Sequence, residues 1–418
     1  MLTTTSLRSA IVDRFLHYVT YDTQAVENSS TYPSTPGQLV LLNLLAAELR
    51  ALGLHDACRD EHGYVFATVP ATSSKPNVPV IGLIAHVDTS PEASGANVKP
   101  IVHRNWQGDD IVLPVDPTAV LRAAEHPALA ASLGHDIITA SGSTLLGADN
   151  KAGVAVIIGV AQYLLAHPEI HHGALRLGFT PDEEVGSGTK FFDIEKFGAQ
   201  FAYTIDGETL GHLEGETFSA DSMTVTFHGW NTHPGLAKGK MVNSIKVAAD
   251  FLSRLPRDRL SPETTEHDQG FVHPYVMDSS VEKTTVKFLI REFDAAKLSA
   301  SETLLADLAA ATAADWPGAH AHTEITPSYR NMKEVLDRHP QVMEHARTAI
   351  RRAGLTLHES AIRGGTDGSR LSFMGLPTPN LFVGEHNYHS RLEWISAQDM
   401  QKAAEVIVEL VQIWEEAA

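Results

Sequence analysis

The feature that most constrains the fold is a set of short apolar runs that do not alternate with polar residues. Residues 78–85, 174–180 and 201–205 have this character, and a longer apolar run at 151–166 has the length of a helix. Short continuous runs are typical of strands that are buried on both faces by helices. Strands and helices that alternate at this spacing predict βαβ units, and hence an α/β fold with a central, mostly parallel sheet and helices on both faces.

A different pattern begins near residue 216. Apolar and polar residues alternate at 223–227 and, more loosely, at 286–290, which is typical of strands with one face towards water. Segments with helical periodicity lie among these strands at 241–255 and 295–313. We therefore predict a smaller α+β domain here, ferredoxin-like, with an antiparallel sheet and two helices.

The smaller domain is predicted to be inserted into the larger one. It spans 216–326, and the helix-and-strand pattern of the first part resumes afterwards. The larger domain would then comprise 1–215 and 327–418, with a further strand at 376–383. A chain of 418 residues fits this organisation, because domains commonly have about 150 residues.

Charge limits the expected partners. The chain has 32 Lys and Arg residues against 51 Asp and Glu residues, for a formal net charge of −19. Such an excess of acid repels phosphate backbones and anionic lipid, so neither nucleic acid nor a membrane surface is an expected partner. The same charge attracts cations, including metal ions.

The sequence also predicts a cytoplasmic location. Residues 1–20 place charges such as Arg8 and Asp13 among apolar positions, which is typical of an amphipathic helix and not of a signal peptide. The most apolar run, 152–160, is shorter than the ~20 residues that span a bilayer. The single cysteine, Cys58, has no internal partner for a disulfide, which fits a reducing compartment.

Acids and histidines follow the predicted buried strands of the larger domain. These residues are His86 and Asp88 after the first strand, Asp182, Glu183 and Glu184 after the second, Asp206 after the third, and His386 and His389 after the last, with Asp149 just before the apolar helix. In open parallel sheets, ligands bind beyond the carboxyl ends of the strands. Carboxylates that converge at this edge would repel one another unless a cation neutralised them.

The types of side chain indicate which cation. Carboxylates and imidazoles without thiolates suit Zn²⁺, Co²⁺ or Mn²⁺. Their number exceeds the three protein ligands of a single catalytic zinc and favours two ions that share a carboxylate and a water. Taken singly, Asp149 is also a plausible helix N-cap, and 182–184 and 206–207 are plausible solvated turns. Their shared placement after buried strands favours the metal site.

Several stretches carry a resemblance to a known family. They are AHVDTSP (85–91), LGADNKAG (146–153), FTPDEEVG (179–186), YTIDG (203–207), HPGLAKGKM (233–241), IRGGTDG (362–368) and PTPNLF (377–382) with HNYH (386–389). In this order, over nearly the whole chain, they resemble the M20 family of metallopeptidases and, within it, the aminopeptidases that cleave tripeptides. The resemblance implies a zinc-peptidase-like catalytic domain with an inserted lid domain, and tripeptides with a free N-terminus as substrates.

The resemblance also implies two zinc ions per subunit, with Co²⁺ or Mn²⁺ as substitutes. The implied ligands are His86, Asp149 and Asp206 for one ion, and Asp149, Glu184 and His389 for the other. Asp88 would orient His86, and Glu183 would be the general base that takes a proton from a water held between the ions. The family also implies a cis peptide bond between Asp149 and Asn150.

Two residues of the smaller domain are candidates for stabilising the oxyanion of the reaction. His233 lies in a predicted exposed turn and would reach the substrate carbonyl when the domains close. Asn243 is a second candidate. Without the resemblance, His233 would be an ordinary surface histidine.

The ends of a short peptide require charged partners. Arg291 is the first candidate and Arg363 the second for binding the C-terminal carboxylate, because a guanidinium binds it in a bidentate manner. Asp182 and Glu208 are alternative partners for the free amine, and the sequence does not choose between them.

Two alternatives stay open. Another M20 activity, such as a dipeptidase, a carboxypeptidase or an N-acyl-amino-acid deacylase, would share the metals and differ in substrate binding. A peptide-binding protein without chemistry is a different class, and Glu183 beside Glu184 argues against it, because a binding protein needs no base. The oligomeric state is undetermined, with a homodimer as one option.

Overall fold

The computed structural model describes residues 4–418, so the first three residues of the predicted N-terminal segment lie outside the described part. The helices are α1 (Thr4–Tyr18), α2 (Pro36–Ala51), α3 (Pro127–Ala131), α4 (Ala148–Ala166), α5 (Ile194–Phe197), α6 (Ser244–Ser253), α7 (Ala295–Ala314), α8 (Lys333–Leu336), α9 (Pro340–Arg352), α10 (Asp367–Phe373) and α11 (Ala397–Glu416). None of these helices combines the length and the apolar character that crossing a bilayer requires.

Most of the strands are short, and the longer ones lie near the middle of the chain. They are β1 (Cys58–Arg59), β2 (Val65–Val69), β3 (Ile81–His86), β4 (Ile101–His103), β5 (Ile111–Val112), β6 (Val120–Leu121), β7 (Ile137–Thr139), β8 (Leu175–Thr180), β9 (Phe201–Gly207), β10 (His212–Thr217), β11 (Ser219–His228), β12 (Phe271–Ser279), β13 (Lys283–Glu292), β14 (His320–Tyr329), β15 (His358–Ile362), β16 (Asn380–Phe382), β17 (Glu385–His386) and β18 (Trp394–Ser396).

The chain divides into two compact units. The smaller unit comprises Glu216–Lys333 and Ala361–Gly365, so it extends beyond the range 216–326 expected from the sequence. The larger unit holds the chain up to Gly215 together with Glu334–Ser360 and Thr366–Ala418. The predicted function of the smaller unit as a lid stays a prediction.

The larger unit is built on an eight-stranded sheet in the order β1-β2-β8-β3-β9-β16-β10-β15. The central strands β8, β3, β9 and β16 pair in parallel, whereas β2 and β10 join them antiparallel. Helix α4 packs against β3 and β9, with α1 and α11 against α4. Phe197 of α5 and Leu371 of α10 pack with Ile84 of β3 in a separate buried cluster. The predicted α/β class is confirmed, and the large sheet is mixed, because only its four central strands are parallel to one another.

One predicted strand is much shorter than expected. The sequence predicted a strand over 376–383, but β16 contains only Asn380–Phe382. Pro377 and Pro379 have no backbone N–H, so this part of the chain has fewer donors for a ladder on both sides. Their carbonyl groups still accept hydrogen bonds from the backbone N–H groups of Ala202 and Thr204, which keeps the segment alongside β9.

The smaller unit has the predicted ferredoxin-like arrangement. Its elements follow in the order β11-α6-β12-β13-α7-β14, and the antiparallel sheet has the order β12-β13-β11-β14. Met223, Val225 and Phe227 on β11 are buried in the core of this unit together with Phe251 of α6 and Leu305 of α7. The alternation read from the sequence therefore marks the face that the helices cover.

Candidate active site

The candidate site lies in the larger unit, at the carboxyl ends of its parallel strands. His86 is the last residue of β3, Asp206 lies near the end of β9, and Glu184 stands in the turn that follows β8. Asp149 lies in the first turn of α4, and His389 follows β17. Because parallel strands end at the same edge of a sheet, residues far apart in sequence meet there.

The five residues implied as metal ligands lie together, with Asp149 at the centre. Its Oδ1 atom lies 3.0 Å from Nε2 of His86, and its Oδ2 atom lies 3.2 Å from Nε2 of His389. Nε2 of His86 is also 3.4 Å from Oδ1 of Asp206, and Nε2 of His389 is 2.8 Å from Oε2 of Glu184. One carboxylate thus lies between two imidazoles, each with a second carboxylate, and this arrangement suits two cations that share Asp149.

The backbone around Asp149 has the conformation that the resemblance implies. The peptide bond between Asp149 and Asn150 is cis, so that expectation is confirmed. Gly147, two residues earlier, has φ of 83°, a left-handed conformation that side chains rarely adopt. A methyl group on Gly153 would lie 2.1 Å from the carbonyl oxygen of Ile205, so α4 approaches β9 closely beside the site.

A buried acid that the sequence analysis missed, Glu393, holds this loop. Its Oε2 atom accepts hydrogen bonds from the backbone N–H groups of Leu146 and Gly147 at 2.6 and 2.7 Å, and its Oε1 atom accepts one from the N–H of Asp149 at 3.0 Å. A carboxylate only accepts, so both oxygens match the three donors. Glu393 therefore positions Asp149 through the backbone, and nothing in the sequence singled it out.

We expect Glu393→Gln to destabilise the larger unit. The amide places an NH₂ group against backbone N–H donors, so at least one of them loses its acceptor, at a cost of about 1.5–3 kcal/mol for bonds to a charged group. The free energy of unfolding, measured with denaturant in the presence of chelator, should fall by that amount. Glu214→Gln is the matched control, because Glu214 is bonded to the side chains of Asn380 and Ser360, which can reorient towards an amide. Equal stability of wild-type and Glu393→Gln proteins would contradict this function of Glu393.

Asp88 connects both sides of the site. Its carboxylate accepts hydrogen bonds from the backbone N–H groups of Glu183 and Glu184 at 3.0 and 3.1 Å. Nδ1 of His86 lies 3.1 Å from the carbonyl oxygen of Asp88 and 3.4 Å from its Oδ1 atom. Donation from Nδ1–H leaves Nε2 of His86 free to face Asp149, as a metal ligand requires. These contacts support the predicted orienting role of Asp88.

The carboxylate of Asp182 is buried and hydrogen-bonded within the protein. Its carboxylate accepts hydrogen bonds from the backbone N–H of Ser34 at 2.6 Å and from Nε2 of Gln38 at 2.7 Å. The side chain is buried, with 1% exposure. Asp182 therefore anchors the turn that carries Glu183 and Glu184, and it is not available to bind the amine of a substrate.

Glu208 is the more accessible of the two acids considered for that amine. Its Oε1 atom lies 3.3 Å from Nδ1 of His386, and its side chain is about half exposed. The ring of His386 also stacks on Trp394, with ring centroids 4.3 Å apart. His386, which the sequence placed after the last strand, thus pairs with Glu208 and Trp394.

The electrostatics of the cluster indicate a shortage of positive charge. Burial, together with the charge of Asp149, raises the pKa of Glu184 to about 8, and burial raises the pKa of Asp206 to about 6. Burial also raises the pKa of Glu183 well above its usual value. Burial opposes the charge of His389, but Asp149 and Glu184 outweigh it and raise the pKa of that imidazole to about 11. Protein groups alone therefore do not hold all these carboxylates ionised.

The donor atoms fit divalent cations. Oε1 of Glu184 is buried and has no hydrogen-bond partner among the described residues. Oδ1 of Asp206 is also buried and makes no hydrogen bond within the described part of the chain, although Nε2 of His86 lies 3.4 Å away. Within the described part of the chain, two overlapping groups of side chains are close enough to hold an ion: His86, Asp149 and Glu184, and Asp149, Asp206 and Glu385. The second group contains Glu385, which the sequence analysis passed over although it also follows a strand of the parallel sheet.

Two candidates from the sequence lie in the smaller unit. His233 is exposed and precedes a 3₁₀ turn at Pro234–Leu236, where its Nδ1 atom accepts a hydrogen bond from the N–H of Gly235 at 3.1 Å. Asn243 is the N-cap of α6, and its Oδ1 atom accepts from the N–H of Ile245 at 2.9 Å. The exposed-turn interpretation of His233 agrees with the structure, and the roles of both residues towards the substrate stay predictions.

The two arginine candidates have different environments within the smaller unit. Arg291 lies over the ring of Tyr329, 5.4 Å from its centroid, and donates to the carbonyl of Ile290. Arg363 donates to the carbonyls of His267 and Gln269 at 2.8 Å each, and its guanidinium also lies over the ring of Phe218. Arg363 thus joins segments of the unit to each other, which leaves Arg291 the better candidate for a substrate carboxylate.

Comparison with known proteins identifies the family. The model of peptidase family M20/M25/M40 matches residues 145–413. The chain belongs to this family and is a metallopeptidase. It is 47% identical to peptidase T of Geobacillus kaustophilus, in an alignment that covers 99% of this chain and 100% of the relative.

Solved structures show the same fold. An aminopeptidase from Bacillus cereus and a tripeptidase from Staphylococcus aureus each superpose with a TM-score of 0.76 at 22% identity, covering 98% of this chain and 99% of theirs. A dinuclear metal-binding peptidase of the M20 family from Bacillus subtilis gives a TM-score of 0.67 at 15% identity, covering 99% of this chain and 100% of that one. The two-unit α/β architecture is therefore that of known M20 peptidases.

Proposed function

We propose that the chain is an aminopeptidase that removes the N-terminal residue from tripeptides, using two divalent cations, expected to be zinc. The observation that carries this proposal is the carboxylate of Asp149, which lies between His86 and His389 in a buried acidic cluster. The relatives support the substrate class, since one is named peptidase T and the solved structures include an aminopeptidase and a tripeptidase.

The proposed ligand sets follow the contacts around the two imidazoles. His86, Asp149 and Asp206 would hold one ion, and Asp149, Glu184 and His389 the other. When bound, such ions supply a Lewis acid for the scissile carbonyl and lower the pKa of a water molecule to ~7. Co²⁺ or Mn²⁺ would also suit these nitrogen and oxygen donors.

Proton transfer is assigned to Glu183. Its backbone N–H donates to Asp88, which fixes the turn. Its side chain belongs to neither of the two groups of side chains that are close enough to hold an ion. The carboxylate would take a proton from the attacking water and deliver it to the nitrogen of the leaving group. Asp88 contacts His86 and the backbone of Glu183 and Glu184. It would therefore position the general base and two metal ligands at once.

The remaining assignments concern substrate binding. His233, with Asn243 as a second donor, would stabilise the oxyanion, and Arg291 would bind the C-terminal carboxylate, with Arg363 as the second candidate. Because Asp182 is bonded to Ser34 and Gln38, Glu208 is the better partner for the substrate's ammonium group.

The central test combines metal analysis with a peptide assay. We expect the purified chain to contain two divalent ions per chain by elemental analysis and to release the N-terminal residue of Ala-Ala-Ala. Chelation should abolish cleavage, and added Zn²⁺, Co²⁺ or Mn²⁺ should restore it. Full activity of metal-free protein would overturn the proposal.

Matched substrates separate the alternatives. N-acetyl-Ala-Ala-Ala lacks the charged amine, and Ala-Ala lacks the third residue, so both should be cleaved much more slowly than Ala-Ala-Ala. Rapid cleavage of the acetylated peptide would indicate a carboxypeptidase or deacylase instead, and rapid cleavage of Ala-Ala would indicate a dipeptidase. Binding of Ala-Ala-Ala without turnover by the metal-loaded protein would indicate a peptide-binding protein.

A further inference from the structure

One buried acid at the site has no function in the assignments above. Glu385 is the first residue of β17 and pairs with Ile395 of β18, which fixes its backbone. Its side chain is 2% exposed, and its Oε2 atom is buried without a hydrogen-bond partner among the described residues. An unpartnered buried carboxylate oxygen is unfavourable, so a group from outside the chain is expected to compensate it.

The neighbours of Glu385 indicate what that group is. One oxygen of Glu385, one of Asp149 and one of Asp206 all lie within 4.8 Å of one another. Oxygens bound to one ion at about 2.1 Å lie roughly 3–4 Å apart, so a single cation reaches all three with small shifts of the side chains. Three carboxylates at such distances repel strongly, and a divalent cation removes that repulsion.

We propose that Glu385 is an additional oxygen ligand of the cation that His86, Asp149 and Asp206 hold. This inference rests on the proposed metal site and extends it, because Glu385 belongs to neither ligand set assigned above. With Glu385, this position offers three carboxylates and one imidazole, whereas the position at His389 offers two carboxylates and one imidazole. The two positions are therefore chemically unequal.

The unequal donor sets predict unequal metal preference. Carboxylate oxygens suit hard ions such as Mn²⁺, whereas imidazole suits Zn²⁺. The position that includes Glu385 should therefore bind Mn²⁺ relatively better than the position at His389. Removing the Glu385 charge should weaken Mn²⁺ binding more than Zn²⁺ binding, and at one position only.

A competing use of Glu385 is to bind the ammonium group of the substrate. The depth of the residue argues against it: Glu385 is 2% exposed, whereas the side chain of Glu208 is 49% exposed. An ammonium group that arrives from solvent meets Glu208 more readily than the buried carboxylate of Glu385. The burial of Glu385 thus favours a metal ion that stays bound over a substrate ammonium group that exchanges with every turnover.

The test is calorimetric titration of the chelator-treated full chain with Mn²⁺ and, separately, with Zn²⁺. Wild-type protein should bind two ions of either metal. Glu385→Gln should leave one ion unchanged and weaken the other by about 10- to 100-fold, with the larger loss for Mn²⁺. Glu214→Gln is the control, since it removes the same charge from a carboxyl group that is already bonded to Asn380 and Ser360, and it should titrate like wild type.

Each outcome has one meaning. Wild-type protein that binds neither metal would overturn the proposed metal site itself. Two ions bound equally well by wild-type and Glu385→Gln proteins would refute only the extra ligand, and an unchanged titration with a raised KM for Ala-Ala-Ala would assign Glu385 to the substrate instead. If Glu385→Gln does not fold, Glu385→Asp replaces it, because the shortened side chain keeps the charge but withdraws the oxygen, and the same selective loss of Mn²⁺ is expected.

Discussion

Asp149→Asn is expected to abolish tripeptide cleavage and to lower the bound metal from two ions per chain to one or fewer. The two carboxylate oxygens of Asp149 face the imidazoles of His86 and His389, so each proposed ion loses a ligand at once. An amide has one neutral oxygen and a donor group where the second oxygen was. We expect kcat/KM to fall by at least about 10³-fold, equivalent to about 4 kcal/mol of transition-state stabilisation.

The measurement is elemental analysis after dialysis against metal, followed by steady-state kinetics on Ala-Ala-Ala. Asp136→Asn is the matched control, because its partly exposed carboxylate accepts a hydrogen bond from the backbone N–H of Asn105 at 2.8 Å and lies in the same unit. That variant should retain both ions and wild-type kinetics. If Asp149→Asn retains two ions at wild-type affinity, the shared-carboxylate arrangement is wrong.

The position of this cluster could be predicted from sequence because it depends on a general property of parallel sheets. His86, Asp206 and the acids after Thr180 each follow a strand, and parallel strands place those positions at one edge. The chemistry of carboxylates and imidazoles then suggested a metal. The pairing of individual ligands came from the resemblance to the family, and the contacts around Asp149 agree with that pairing.

Two buried acids at the site were missed for different reasons. Glu385 obeys the same rule as the others, since it follows β16, but His386 and His389 in the same segment carry the more typical zinc-binding side chain. Glu393 shows no signal, because its partners are the backbone N–H groups of Leu146, Gly147 and Asp149, almost 250 residues earlier in the chain. Side chains that serve a distant backbone leave no local pattern of polarity or periodicity.

The exact boundaries of the smaller unit also could not be predicted from the local sequence pattern. After β14, Asn331 still belongs to this unit, because its side chain accepts a hydrogen bond from the N–H of Thr217 and donates one to the carbonyl of Phe293. Arg363 returns to the same unit through the carbonyls of His267 and Gln269. The hydropathy pattern of the sequence shows where one type of element gives way to another. It does not show these long-range contacts, which determine the unit to which a connecting segment belongs.

Glu183→Gln is expected to lower kcat for Ala-Ala-Ala by about 10²- to 10⁴-fold, the usual contribution of a general base, while both ions stay bound. The amide is nearly the same size and cannot accept a proton, so chemistry is lost and metal binding is not. The backbone N–H of Glu183 keeps its hydrogen bond to Asp88 in the variant, because the substitution leaves the backbone intact. Kinetics and elemental analysis on the same preparation check both statements.

The neighbouring acid supplies the contrast that makes this result interpretable. Asp182→Asn alters the same turn, but Asp182 is bonded to Ser34 and Gln38, so its loss should lower stability and leave most of kcat. The two adjacent residues should therefore respond differently: Glu183→Gln should lower kcat, and Asp182→Asn should lower stability. A fall in kcat as large for folded, metal-loaded Asp182→Asn as for Glu183→Gln would mean that the geometry of the turn, and not a proton-accepting carboxylate, controls the rate. A larger loss in Glu183→Gln at equal stability and metal content identifies the carboxylate as the proton acceptor, because only proton transfer then differs between the variants.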